Sequence, residues 1–165
     1  MIAIPRHTVD LTAYPDLVVI YLGMQVRSLR GLATFLQLGP EIDKSVAARP
    51  DGLLCHERIY YSLFPLHAGM RQYWRDFESL EKWTRELPHQ RWWKKFLSAP
   101  LGVTFWHETY LMSGGMESVY LNMPDIAAGF KAFAPAVEAR SSMFSARRRL
   151  RREGEGPAPV VAEEA

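Results

Sequence analysis

Cysteine is almost missing from the 165-residue chain: Cys55 is its single thiol, so no internal disulfide can close and nothing points to an oxidising compartment. In Leu-Leu-Cys-His-Glu it reads as a small packed hydrophobe, with His56 turned to the opposite side of a strand. No apolar run is long enough to cross a bilayer. The opening Met-Ile-Ala-Ile-Pro-Arg-His lacks the basic region and apolar core of a secretory signal, so the expectation is a cytoplasmic protein with no membrane partner. There is no Gly-x-Gly-x-x-Gly and no Walker-type loop, which argues against a classical nucleotide site. There is also no His-x-x-x-His, no cysteine pair and no aspartate cluster, so no metal is expected. Net charge is only +2. An electrostatic case for nucleic acid would rest on the Arg147 to Arg152 run, which reads instead as the solvated end of a helix, and no nucleic-acid partner is expected.

What is present is apolar and aromatic, 48% and 12% of the residues, enough for one core in a chain of this length. Residues 1–16, with Pro5 and Pro15, read as an arm. Residues 17–146 carry the periodic segments, and 147–165 run from basic to a Gly-Pro-acidic tail expected to be disordered.

Leu17 to Val26 is a nearly continuous apolar run of strand length. Ser28 can cap a helix through about Leu38, where Gly39-Pro40 interrupts; Pro40 either ends that helix or begins a second turn through Ile42 and Val46. Leu53 to Ser62 alternates as a second strand and Leu66 to Trp74 as a third, pairing back antiparallel. Short helices follow at Phe77 to Thr84 and His89 to Leu97, the latter with Trp92 and Trp93 on its apolar side. Gly102 to Asn122 reads as a hairpin about Ser113-Gly114-Gly115. Asn122-Met123-Pro124-Asp125 then starts a helix with Ile126, Phe130, Phe133 and Val137 on one side. This order fits a ferredoxin-like α+β domain whose helices cover one sheet face. A second copy would cover the other, giving a homodimer with a barrel-like shared core.

The segments Tyr-Leu-Gly-Met-Gln-Val (Tyr21 to Val26), Phe-Trp-His-Glu-Thr-Tyr (Phe105 to Tyr110), Gly-Gly-Met-Glu-Ser-Val-Tyr (Gly114 to Tyr120) and Asn-Met-Pro (Asn122 to Pro124), in this order, resemble the small monooxygenase-like family that includes a fumagillin-pathway oxygenase. The resemblance covers about residues 15–145. It implies a dimeric α+β barrel related to antibiotic-biosynthesis monooxygenases, which oxidise polycyclic or terpenoid substrates with dioxygen, often without metal or flavin. The same superfamily holds haem proteins, among them aldoxime dehydratases and haem-degrading oxygenases, so fold alone leaves function open.

The candidate site rests on strand alternation. Phe105, His107 and Thr109 face one way, and Trp106, Glu108 and Tyr110 the other. If His107 faces a cavity between two sheets, it is suited to act as a general base on an activated carbon or phenol. Tyr120 on the neighbouring strand would orient substrate or donate to an oxyanion, and Glu108 or Glu117 would orient a histidine, Glu108 not sharing a face with His107 of its own strand. Trp106, Glu108, Tyr110, His56 and Arg58 are candidate substrate-binding residues. The competing structural reading makes His107 and Glu108 satisfied polar groups that set hairpin register, and His56 and Arg58 an exposed strand face. His67 beside a turn and His89 at a helix start fit exposed or capping roles. Three functions follow: a cofactor-free monooxygenase acting on a hydrophobic small molecule; a haem enzyme with His107, or else His56 or His67, as axial ligand; and a non-catalytic ligand-binding dimer.

Overall fold

The computed structural model describes residues 5–87, 89–92, 102–112, 116–118, 120–121, 129–140, 143 and 146–149. They fall into two compact units, 16–111 and 1–15 with 112–165.

The larger unit is built as βαββαβ. Strand β2 (Val18–Val26) leads into helix α1 (Leu29–Ala47), followed by β3 (Leu53–Ser62), β4 (His67–Trp74), helix α2 (Phe77–Thr84) and β5 (Val103–Leu111). The four strands form one antiparallel sheet in the order β3-β4-β2-β5, the ferredoxin-like arrangement. The Ser28 hydroxyl accepts from the Gly31 amide at 3.2 Å, starting α1 where the cap was expected. The Asp76 carboxylate likewise accepts from Ser79 at 2.7 Å and starts α2.

Directly opposed residues in an antiparallel pair share a face. Val18, Ile20 and Met24 of β2 pack with Trp74, with Phe35, Leu38 and Ile42 of α1, and with Leu80 and Trp83 of α2. The even-numbered side of β2 therefore faces the helices. Trp74 is fully buried, and its ring lies 5.3 Å from that of Trp83. Trp92 joins this core and donates its indole N–H to Glu41 at 2.7 Å, as its apolar position suggested.

Of the two alternatives at Pro40 the chain takes the longer, through Ile42 and Val46, as one continuous helix α1 with Pro40 inside it. Phe35 and Leu38 before the proline, and Ile42 after it, enter one core. Burial on both sides outweighs the single backbone hydrogen bond that Pro40 cannot donate.

In the smaller unit β1 (Arg6–Val9) lies between β6 (Tyr120–Leu121) and β7 (Ala136–Glu138). Residues read from sequence as an arm are thus the centre of a three-stranded sheet. Among the described residues the two arms of the expected hairpin do not pair: β5 pairs with β2, whereas β6 pairs with β1, His7 opposite Tyr120. Short-range turn signals at Ser113-Gly114-Gly115, which lie outside the described residues, could not register this long-range pairing. The helix expected through Val137 is also corrected. Gly129–Ala132 is a 3-10 turn, and Val137 sits in β7 opposite Thr8. The arginine run is not uniformly solvated either. The Arg149 side chain is 6% exposed and bonds Glu117 at 2.8 Å and the Met143 carbonyl at 3.0 Å.

Candidate functional site

His107 stands opposite Leu22, and Phe105 opposite Met24, so His107 lies on the helix-covered face of the sheet. The expected projection of this imidazole from the open face is therefore corrected, and with it the premise for His107 as a general base between two sheets. Its electrostatic neighbour is His89, which is half-buried against the rings of Trp83 and Trp92 and meets the Thr84 carbonyl through Nδ1 at 2.9 Å. Tyr120 and Glu117 belong to the smaller unit. There Glu117 is the ion-pair partner of Arg149, which gives its carboxylate a structural occupation.

The open face carries Trp106, Glu108 and Tyr110 together, as the alternation required. Glu108 lies opposite Tyr21 and Trp106 opposite Gly23. A Cβ on Gly23 would sit 2.5 Å from the Trp106 indole nitrogen, so only glycine admits the ring there. Trp106 donates to His67 Nε2 at 2.9 Å, with Tyr61 packed against both rings. Tyr110 donates to Glu108. In the middle of the face Arg71 donates to Glu57 at 2.7 Å and to the Tyr21 hydroxyl at 2.9 Å, its guanidinium lying over the Tyr21 and Tyr73 rings. Burial alone would lower the Arg71 pKa; the bonds to Tyr21 and Glu57 outweigh it and hold the cation charged. Trp106, His67, Glu108, Tyr110, Arg71, Glu57 and Tyr21 are thus hydrogen-bonded to one another across this face, as expected of a face organised for packing.

His56 and Arg58 lie opposite Gln72 and Met70, on the helix-covered face. Between α1 and strands β2, β3 and β4 is a cavity of about 350 Å³, within the range of small-molecule sites. Leu22, Met24, Phe35, Leu38, Ile42 and Met70 make its apolar walls. Arg58, Asp43 and the exposed Tyr60 supply the polar part of the lining. The Arg58 guanidinium and Asp43 carboxylate approach to 2.6 Å, both well exposed.

His56 is the histidine of this lining. Its Nδ1 is 3.2 Å from the Gln72 side-chain nitrogen, and the Gln72 oxygen accepts from the Trp74 indole at 3.2 Å. An indole nitrogen only donates, so it fixes which end of the fully buried Gln72 amide is oxygen. The amide nitrogen must then donate to His56 Nδ1, which leaves the imidazole proton on Nε2. That nitrogen is buried and hydrogen-bonds to no described residue. Burial lowers the His56 pKa, with Asp43 acting in the other direction, so the ring is neutral at neutral pH.

This arrangement tests the haem expectation. An iron-ligating histidine presents a bare ring nitrogen and donates its other N–H to an acceptor. His56 does the reverse, and so does not fit as an axial ligand to haem iron. His67 spends its Nε2 on Trp106. Among the described residues no group of three or more His, Cys, Asp or Glu is placed to hold a metal ion, and no helix is long and apolar enough to cross a membrane.

A family model described as monooxygenase af470-like matches residues 17–128. The chain belongs to the monooxygenase af470-like family. The match spans the whole βαββαβ unit, cavity included. No curated protein matches the chain. Among solved structures, the aldoxime dehydratase OxdRE in complex with butyraldoxime superposes with a TM-score of 0.65 at 20% identity, over 82% of this chain and 38% of that one. Another aldoxime dehydratase gives 0.62 at 21%, over 81% and 39%. The chain thus spans under two-fifths of those enzymes' length, and at such identity the likeness shows the fold. SnoaB, a cofactor-independent oxygenase from Streptomyces nogalater, gives 0.45 at 14%, over 58% and 91%.

The site residues with the clearest cavity geometry, His56 and Arg58, were visible in the sequence as one face of a strand. Gln72 and Trp74, which set the state of His56, were not singled out. Their i, i+2 spacing on an apolar strand was the available signal.

Proposed function

We propose that this monooxygenase af470-like chain oxidises a hydrophobic molecule of one or two rings, held in the cavity between α1 and the sheet, with dioxygen and without a bound cofactor. The observation that supports this most is the cavity itself: a largely apolar cavity of about 350 Å³ with one half-buried histidine and an exposed charged pair in its lining. Apolar walls select a hydrophobic ligand and exclude water from a reactive carbanion or radical. For an activated methylene the balance is one methylene and one dioxygen in, one ketone and one water out. Both carbon–hydrogen bonds break and a carbon–oxygen double bond forms. One oxygen atom enters the product, the other leaves as water with the two hydrogens, and the substrate supplies all the electrons. No external reductant is needed. The open face, where Tyr21, Trp106 and the exposed Tyr110 are not covered by α1 or α2, is the surface for a second copy.

The test is oxygen uptake by the purified protein with 2-tetralone, in chelator-treated buffer without nicotinamide. Uptake is expected, with one atom of labelled dioxygen in the diketone and strong suppression in Ala68→Phe, which fills the cavity. No uptake, or uptake that requires added haem or a reduced nicotinamide, overturns the reading.

A further inference from the structure

One end of the four-stranded sheet is apolar and cationic. Strand β2 leaves the sheet there at Val26, opposite Val103 of β5, and the Val26 amide donates to the Leu66 carbonyl at 2.8 Å. The start of α1 and the turn between β3 and β4 therefore lie at the same end. Leu63 and Phe64 in that turn are 80% and 97% exposed, and Leu29 at the start of α1 is 88% exposed. The described residues of this end, 25–32, 60–67 and 102–105, include Arg27 and Arg30 but no aspartate or glutamate. Both arginines are exposed. Arg27 donates to the neutral Gln25 side chain at 3.0 Å, and among the described residues neither arginine is ion-paired. At the opposite end Arg75 is paired with Asp51 and Asp76, and Glu78 is exposed. The sheet thus carries uncompensated cations at one end and its carboxylates elsewhere.

We infer that this end docks on an anionic lipid surface, with Leu29, Leu63 and Phe64 in the interface and Arg27 and Arg30 at the headgroup phosphates. A phenylalanine so exposed contributes nothing to its own core, and its apolar surface is available to another medium. A protein partner would need a contiguous patch of complementary shape, whereas these side chains project from a turn and a helix start. Lipid closes around separate projecting groups, and anionic headgroups complement two arginines that lack carboxylate partners. Tyr60 and Tyr61, 64% and 38% exposed, stand beside the turn, where amphipathic rings suit the level of the headgroups. Peripheral binding of this kind needs no spanning helix. Leu32 and Leu36 continue from Leu29 along one side of α1, and Leu36 and Tyr60 belong to the cavity lining. An exposed apolar track thus leads from the docking end to the cavity, a path for a hydrophobic molecule dissolved in the bilayer. The track rests on the cavity being the ligand site; the docking surface does not.

Co-sedimentation of the full chain with sucrose-loaded vesicles tests this. Phosphatidylcholine vesicles with about one-third phosphatidylglycerol are expected to bind the protein about tenfold or more tightly than phosphatidylcholine alone. Raising the salt from about 0.1 M to about 0.5 M should remove most of that difference in the wild type, a measurement that needs no variant. Leu63→Ser combined with Phe64→Ser should lower the affinity for the mixed vesicles about tenfold or more. Arg27→Gln combined with Arg30→Gln should cut the preference for them to within about threefold. Neither pair lines the cavity, so oxygen uptake with 2-tetralone in lipid-free buffer should keep the wild-type rate in both. A wild type that does not sediment with the mixed vesicles, that binds them regardless of salt, or that binds them no better than Leu63→Ser with Phe64→Ser overturns the inference and leaves the cavity reading standing. So does a lower mass of that variant in lipid-free sedimentation equilibrium without vesicle binding by the wild type, which would assign the turn to a contact between copies. Wild-type vesicle binding without any oxygen uptake would instead uphold the docking surface while the cavity reading falls.

Discussion

Arg71 on β4 and Glu57 on β3 stand directly opposite in the ladder, guanidinium and carboxylate 2.6 Å apart, with about a quarter of each side chain exposed. The pair is clamped further by the Tyr21 hydroxyl at 2.9 Å and by two aromatic rings. Glu57→Leu leaves the cation without its carboxylate. We expect a loss of about 1.5–3 kcal/mol in urea unfolding, the range for hydrogen bonds to charged groups. Glu57→Leu combined with Arg71→Met should recover at least half of it, because the stranded charge, more than the missing attraction, sets the cost. A double variant as unstable as the single one would refute this account.

Cys55 lies opposite Tyr73 on the open face, and burial, followed by the nearby Glu57 carboxylate, pushes its thiol from an ordinary 9.0 up to about 11. The thiolate is the reactive form. Alkylation by iodoacetamide at pH 8 should therefore be about a hundredfold slower in the folded chain than in urea. Equal rates in the two states would show that the thiol is neither shielded nor perturbed.

The sequence carried the βαββαβ order, because each of these strands and helices has a period of its own. Ser28 and Asp76 announce their helices by chemistry at the cap. Side-chain alternation also paired His56 with Arg58 and Trp106 with Tyr110 correctly. It could not say which side of β5 lies under the helices: both sides carry aromatic residues, and only the ladder to β2, about eighty residues earlier, places His107 beside Leu22. The β1-β6-β7 sheet is hidden for the same reason, since Thr8 meets Val137 across most of the chain. The tautomer of His56 was out of reach too, because it depends on an amide and an indole whose roles appear only once their distances are known.

Asp76 joins the cap of α2 to the chain turn before it. Its carboxylate accepts from Ser79, chiefly, and from Arg75 at 2.7 Å, and these bonds lower its pKa from 3.8 to about 2. A carboxyl depressed in the folded state stabilises that state above its unfolded value and loses the advantage as pH falls through the folded one. The Asp76→Ala cost, about 1 kcal/mol at pH 7, should thus be constant down to about pH 4 and shrink toward pH 2. Urea midpoints of the two proteins across that window check the sign. A difference that grows on acidification would contradict it.

The last expectation concerns the second copy. On the open face the half-buried Tyr21 and the Trp106 indole bedded on Gly23 form one aromatic surface over the buried Tyr73, continued at the sheet edge by Tyr110, 49% exposed. Burying such a surface against its own copy removes apolar area from water without stranding a charge, since Arg71 and Glu57 already satisfy each other within the chain. Sedimentation equilibrium should give about twice the 18.9 kDa chain mass. Tyr110→Arg places a cation at the rim and should weaken association about tenfold or more, whereas Gly23→Val should both displace Trp106 and destabilise the sheet by about 1–3 kcal/mol. Tyr110→Arg keeps the fold, which far-ultraviolet dichroism verifies, so a monomer there is a loss of contact and not of structure. A wild-type protein that stays monomeric at high micromolar concentration would sink the shared-sheet arrangement while leaving the cavity under α1, which draws all its lining from one chain, untouched.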